Sequence, residues 1–239
     1  MKKITTVLFD LDGTLLPMDQ EIFIKAYFGG LAKRLAPQGY DPKELIDTVW
    51  AGTVAMVKND GSVTNEVAFW KYFSQVYSPE KARADYPLFE AFYREDFDKV
   101  AASCGHTPEA RALLDRLHSK GIRTVLATNP LFPSIATEKR MAWAGLSPSD
   151  FEFFTTYENS SYCKPNPAYY REVLSKIGCR GEECLMVGND VGEDMIAQKL
   201  GMEVFLLTDC LINKHGEDLS AYPHGGFSEL NSYLEERGL

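Results

Sequence analysis

"VLFDLDGTLL", residues 7–16, sets two aspartates, Asp10 and Asp12, directly behind a run of apolar residues. Residues 4–9, with Thr5 and Thr6 counted as β-branched strand formers, read as a strand covered on both faces, because such strands are continuously apolar rather than alternating. The aspartates then stand just past its carboxyl end. In open α/β sheets that end faces the crevice where ligands bind, so the stretch predicts a parallel sheet and also where its chemistry sits.

Downstream, residues 19–100 carry helical periodicity and almost no strand signal. Asp41, Pro42 and Glu44 read as an N-cap, a first-turn proline and an acidic first turn, Thr64 as the cap of a second helix, and residues 88–100 as one more. From Thr107 the pattern becomes helix then strand. "TPEARALLDRLHSKG" has Thr107 as cap, Pro108 at the first turn and Gly121 at the stop, and "IRTVLAT" follows as a buried strand. "NPAYYREVLSKIG" leads to "CLMVG", and residues 191–200, read as a helix closed by Gly201, lead to "EVFLL". Residues 151–156, "FEFFTT", read as a further strand. Alternating strands and helices predict an α/β fold with a doubly wound, mainly parallel, Rossmann-like sheet. The boundaries place the core in residues 1–16 and 105–239 and an inserted all-helical cap in residues 17–104.

At 239 residues, with 45% hydrophobic and 25% charged residues, the chain has the composition of a soluble globular protein able to bury a sizeable core. A net charge of −9 argues against nucleic acid or an anionic membrane as partner, since both require a basic face. Lys2 and Lys3 precede an apolar stretch that Asp10 cuts short, too brief for a signal peptide, and no run approaches a membrane span. The expectation is a cytoplasmic protein. The sequence sets no oligomeric state, and a monomer is sufficient. Five cysteines without a CxxC pair read as free thiols, and four scattered histidines lack metal-binding spacing.

With these strands, the carboxyl ends carry Asp10 and Asp12, then Thr128 and Asn129, a loop with Lys164, and finally Asn189, Asp190 and Asp194. Each has an ordinary reading taken singly: aspartates cap helices, and Thr128 and Lys164 lie in turn-like contexts. Together they form a chemically coherent set. Several carboxylates hold a hard cation, for which Mg²⁺ is the natural ion, while a lysine and two polar side chains hold an anion.

"DLDGTL" at residues 10–15 resembles the first motif of the haloacid dehalogenase superfamily. Thr128 resembles its second motif, Lys164-Pro165 its third, and "GNDVGED" at residues 188–194 its fourth, in the family's order. The resemblance covers residues 1–16 and 105–210, and the insert resembles the cap that one branch places after the first strand. It implies that Asp10 is the nucleophile and Asp12 the acid and base. It further implies that Thr128, Asn129 and Lys164 bind substrate and that Mg²⁺ sits on Asp10, the Asp12 carbonyl and Asp190. Asn189 stands where the family usually has aspartate, so Asn189, through its amide oxygen, and Asp194 are alternative ligands, and Asp194 is otherwise a partner for Lys164. The implied activity is Mg²⁺-dependent hydrolysis of a small phosphorylated metabolite through an aspartyl-phosphate. A sugar phosphomutase, a phosphonate hydrolase using a cap lysine (Lys25, Lys33, Lys43, Lys58 or Lys71) and an aspartate-phosphorylated receiver-like module are the competing readings. A dehalogenase has no use for the second aspartate. The cap aromatics Tyr27, Phe28, Trp50, Phe69, Trp70, Tyr72 and Phe73 are expected mainly to pack the cap's own core rather than line a pocket.

Overall fold

The computed structural model describes residues 3–239; Lys2 lies outside the described residues. Strands β1 (Thr6–Phe9), β2 (Arg123–Leu126), β3 (Phe153–Phe154), β4 (Cys184–Gly188), β5 (Glu203–Leu207) and β6 (His224–Gly225) form one sheet in the order β3-β2-β1-β4-β5-β6. Each neighbouring pair is parallel, with Phe9 opposite Leu126 on one side and Val187 on the other. All four residues of β1 are buried, as the unbroken apolar run requires of a central strand covered on both faces.

Side chains alternate between two cores. Val7, Phe9, Leu185 and Val187 face one layer, with the buried stripes of α5 (Pro108–Ser119) and α8 (Phe227–Glu235). Leu8, Met186 and Leu206 face the other, with the apolar face of α7 (Pro167–Ile177). The sheet is therefore doubly wound, and its strand order reverses at β1, beside β4, where an open crevice forms at the carboxyl ends.

Between β1 and α5 lie α1 (Gln20–Leu35), α2 (Pro42–Val57), α3 (Asn65–Tyr77) and α4 (Pro79–Ala91). Asp41 and Thr64 cap α2 and α3, accepting from the amides of Glu44 and Val67. The chain enters and leaves this helical segment side by side. Met18 bridges Cys104 antiparallel, and the Gly105 amide donates to the Pro17 carbonyl at 2.7 Å. No described helix is long and apolar enough to cross a membrane, and all five cysteines are free thiols.

Three local expectations need correction. The last helix of the insert starts at Pro79 rather than residue 88: the Ser78 hydroxyl caps it, Pro79 occupies the first turn, and Pro87 is carried inside it on an exposed position. It continues past Ala91 as a wide turn over Phe92–Asp96 and a tight one over Phe97–Ser103. Of residues 151–156 only Phe153 and Phe154 pair as strand, because this is a sheet edge. Residues 191–200 do not form an α-helix: a short 3₁₀ segment, Met195–Leu200, follows a turn held by the Asp190 and Asp194 carboxylates. The sequence reading also did not assign α6 (Ser134–Trp143), which follows the Thr128 loop.

Candidate active site

The loop after β1 turns sharply on Gly13, whose φ is +87° and where an added Cβ would lie 2.3 Å from Asn189 Nδ2, so both conformation and space demand glycine. Thr14 Oγ1 donates to Asn189 Oδ1 at 3.0 Å, and Asn189 Nδ2 donates to the Cys210 carbonyl at 2.7 Å. The amide of Asn189 thus ties together the loops after β1, β4 and β5.

Lys164, about 1% exposed, donates to Asp10 Oδ1 at 2.9 Å and Asp194 Oδ1 at 2.6 Å. Burial alone would depress its ammonium, but the two carboxylates outweigh that and hold its pKa well above the usual lysine value. Burial likewise pushes Asp194 up to about 6, against the pull of Lys164. The other Asp194 oxygen accepts from the Asp190 amide at 3.0 Å, and its carboxylate lies so close to Gly188 that a Cβ there would be 2.1 Å away. Asp190 Oδ1 accepts from the Gly192 and Glu193 amides, while Oδ2 is 4.0 Å from Lys214 Nζ and is the freer oxygen.

Thr128 is buried. Its carbonyl accepts from Thr155 Oγ1 at 2.6 Å and Tyr169 Oη at 2.9 Å, which fixes the backbone of a residue that lines the cavity. Asn129 Oδ1 receives the Lys164 amide, and its Nδ2 donates to Glu193 Oε2 at 3.0 Å. Asp10, Asp12, Thr128, Asn129, Asn189, Asp190 and Asp194 all line one cavity of about 650 Å³, with Lys164 beneath its floor.

Two residues absent from the sequence reading belong to this constellation. Arg140 of α6 is fully buried, and its Nη1 donates to Asp12 Oδ2. The guanidinium is held by the Ala136 carbonyl and Thr137 Oγ1, both at 3.3 Å, and lies 4.5 Å from the Phe132 ring centroid. The second oxygen of Asp12, Oδ1, is buried with no hydrogen-bond partner among the described residues, although the side chain as a whole keeps 21% exposure. Burial raises the Asp12 carboxyl above its ordinary value, and Arg140 opposes the rise. Glu193 is the other addition: burial lifts it to about 7, with Lys164 opposing. No motif marks Arg140, and it falls in no element that the sequence predicts. Glu193 lies between Asp190 and Asp194 in a stretch whose pattern reads as a helix.

Tyr27, Phe28, Phe69 and Phe73 pack in the buried core as expected, with Trp70 against it, but Tyr27, Phe28, Trp50, Phe69 and Trp70 also line the cavity. Phe69 and Trp70 do both jobs: they pack edge-on at 5.3 Å within the cap while their outer faces bound the cavity. Phe73 is wholly buried and Tyr72 lies elsewhere. Lys25, Lys33, Lys43, Lys58 and Lys71 are all exposed, and none lines the cavity.

A family model described as haloacid dehalogenase-like hydrolase matches residues 4–200. The pyrophosphatase PpaX of Bacillus velezensis is 24% identical over 221 residues, covering 92% of this chain and 90% of the relative. A phosphoglycolate phosphatase of Vibrio cholerae is 26% identical over 238 residues, covering 98% and 97%. Among solved structures, a 2-haloacid dehalogenase from Pseudomonas syringae superposes with a TM-score of 0.67 at 21% identity, covering 98% of this chain and 99% of that one, a likeness of fold.

Proposed function

Since this chain belongs to the haloacid dehalogenase-like hydrolase family, we propose that its site is that of an Mg²⁺-dependent phosphatase, which hydrolyses a small phosphorylated metabolite through an aspartyl-phosphate on Asp10. The chain is a hydrolase of the phosphatase kind, like the relatives named above. One observation supports the finer reading: the paired aspartates line the same cavity and each has one oxygen held by a buried cation, Asp10 Oδ1 by Lys164 and Asp12 Oδ2 by Arg140.

Lys164 holds Asp10 Oδ1, so in this reading Oδ2, whose one hydrogen-bond contact among the described residues is a long 3.4 Å from Thr14 Oγ1, is the atom that attacks phosphorus. Arg140 holds Asp12 Oδ2 and leaves Oδ1 to give a proton to the departing ester oxygen. Asp12 then takes a proton from the water that attacks the aspartyl-phosphate, and inorganic phosphate leaves with Asp10 restored. In this reading the Thr128 hydroxyl binds a phosphoryl oxygen, and the Lys164 ammonium, held beneath the floor by Asp10 and Asp194, supplies positive charge to the site.

The donors on the cavity floor are oxygens from the loops after β1 and β4, and among the described residues no three carboxylate, imidazole or thiol groups form a metal cluster by themselves. That suits Mg²⁺, which takes one or two carboxylates and completes its shell with carbonyl, water and phosphate oxygens. Asp10, the Asp12 carbonyl and Asp190 would hold it. Asn189 is the weaker candidate because both ends of its amide are hydrogen-bonded, and Asp194 because both its oxygens are. The bound ion supplies charge neutralisation between Asp10 and the dianionic phosphoryl group. A phosphonate hydrolase is disfavoured because the five candidate cap lysines lie away from the cavity.

The test is phosphate release from an aryl phosphate with Mg²⁺, then with EDTA, for the native protein and for Asp10→Asn and Asp12→Asn. EDTA and Asp10→Asn should each abolish turnover. Asp12→Asn should release about one equivalent of phenol in a burst and then stall with phosphate bound to Asp10, visible by intact mass. Full activity without metal, or turnover by Asp10→Asn, would refute the reading.

A further inference from the structure

The cavity extends well beyond the phosphoryl end. Its volume of about 650 Å³ is that of a site for a drug-sized molecule, far more than a phosphate on a two-carbon acid fills. On the cap side its wall is formed by Phe28, Trp50, Phe69, Trp70, Tyr86 and Phe89. Trp50 is 52% exposed although it lines the cavity and meets the Phe28 ring edge-on at 5.7 Å, so much of its aromatic surface stays available to a visitor.

Charge on this wall has one dominant sign. Glu90, Glu138 and Glu158 line the cavity beside the catalytic aspartates. Glu158 is fixed there by the Ser134 amide, which donates to both its oxygens at 3.0 and 3.1 Å. The buried cations are already engaged, Lys164 by Asp10 and Asp194, Arg140 by Asp12. Arg94 is the one cationic side chain among the lining residues, on an exposed position. A carboxylate or second phosphate at the far end of a substrate would meet several carboxylates for each guanidinium, and like charges in a partly desolvated cleft discriminate strongly.

We infer that the substrate is a phosphate monoester of a bulky, largely apolar or aromatic alcohol that carries no second anionic group. This rests on the phosphatase reading and separates the chain from relatives named for phosphoglycolate and pyrophosphate, both of which carry a further anionic group. The aromatic wall supplies the binding area, and the glutamates reject the anionic analogues.

The experiment compares kcat/KM for phosphate release, with Mg²⁺ present, from 2-phenylethyl phosphate, its 4-carboxy derivative, ethyl phosphate and phosphoglycolate. The two phenylethyl esters share a leaving oxygen of similar basicity and differ in remote charge; ethyl phosphate tests size. Phenylethyl phosphate should exceed ethyl phosphate by at least about 30-fold from burial of the ring, and its carboxylated derivative by at least about tenfold. Phosphoglycolate or the carboxylated ester turned over as fast as phenylethyl phosphate would overturn the inference while leaving the phosphatase reading intact. Release from none of the four would overturn that reading and the inference with it. Two exposed positions give independent checks without risk to the fold. Trp50→Ala should lose at least about fivefold more kcat/KM on phenylethyl than on ethyl phosphate, and Glu90→Lys should narrow the gap between the neutral and carboxylated esters at least about threefold. Equal losses in the first, or an unchanged gap in the second, count against the assigned wall.

Discussion

Replacing Arg140 by methionine keeps the aliphatic stem and removes the guanidinium that holds Asp12 Oδ2. Breaking a buried ion pair by deleting one partner costs about 3–5 kcal/mol, since the remaining charge is left uncompensated. Asp12 keeps 21% exposure and gains water from the cavity once Arg140 is gone, which puts the expected loss at the lower end, about 3 kcal/mol. For a domain of this size that is a fall in Tm of about 6–12 °C. Asp12→Asn strands Arg140, fully buried, in the same way. The double variant should therefore be more stable than the sum of the single losses by about 2 kcal/mol. Urea unfolding of the four proteins of this cycle reads the coupling directly. A coupling below about 0.5 kcal/mol, the usual scatter for independent sites, would show that Arg140 and Asp12 do not act as a pair and would withdraw the placement of Asp12 by Arg140. Activity supplies a second readout: Arg140→Lys, which keeps the charge but not the forked donor, should retain part of the turnover that Arg140→Met loses.

Thr128→Val keeps the shape and removes the hydroxyl, so kcat should fall by about 10²–10³ with folding unchanged, as for loss of one oxyanion donor; steady-state phosphate release checks it, and a loss below about threefold would return Thr128 to a turn residue. Asp150 accepts from the Ser147 amide at 2.7 Å and pairs with Arg111 at 2.7 Å. Burial opposes its ionisation, but these contacts win and set its carboxyl below the ordinary aspartate value. Its folded pKa being the lower one, its contribution is present at neutral pH and lost as pH falls through that pKa. Asp150→Asn should cost about 1–2 kcal/mol at pH 7, a gap that closes in acid denaturation series.

The residues that make the site legible are those whose neighbours in sequence reveal their place. Asp10 follows an apolar run, Thr128 follows "VLA", and Asn189 and Asp190 follow "CLMVG", so each is read as standing at a strand's carboxyl end before any contact is known. Arg140 offers no such sign. It meets Asp12 across 128 residues of chain, on a helix the periodicity did not single out, and a buried arginine looks in sequence like any exposed one. The turn over residues 191–194 misled for a related reason: Asp190 and Asp194 direct their carboxylates to local amides and to Lys164 instead of letting the chain wind into a helix.

Local chemistry thus determined the main strands of the sheet, its parallel sense, the order of the chemical residues along the strand ends and the caps at Asp41, Thr64 and Thr107, because periodicity, capping and turn preferences act over a few residues. Tertiary structure alone decided which oxygen of each aspartate a buried cation holds, that Asn189 serves as a tie between loops, and that the cap's aromatics bound the cavity as well as their own core. Those outcomes depend on distances between segments scores of residues apart, which the packing of the two layers and the cap sets and which no local pattern encodes.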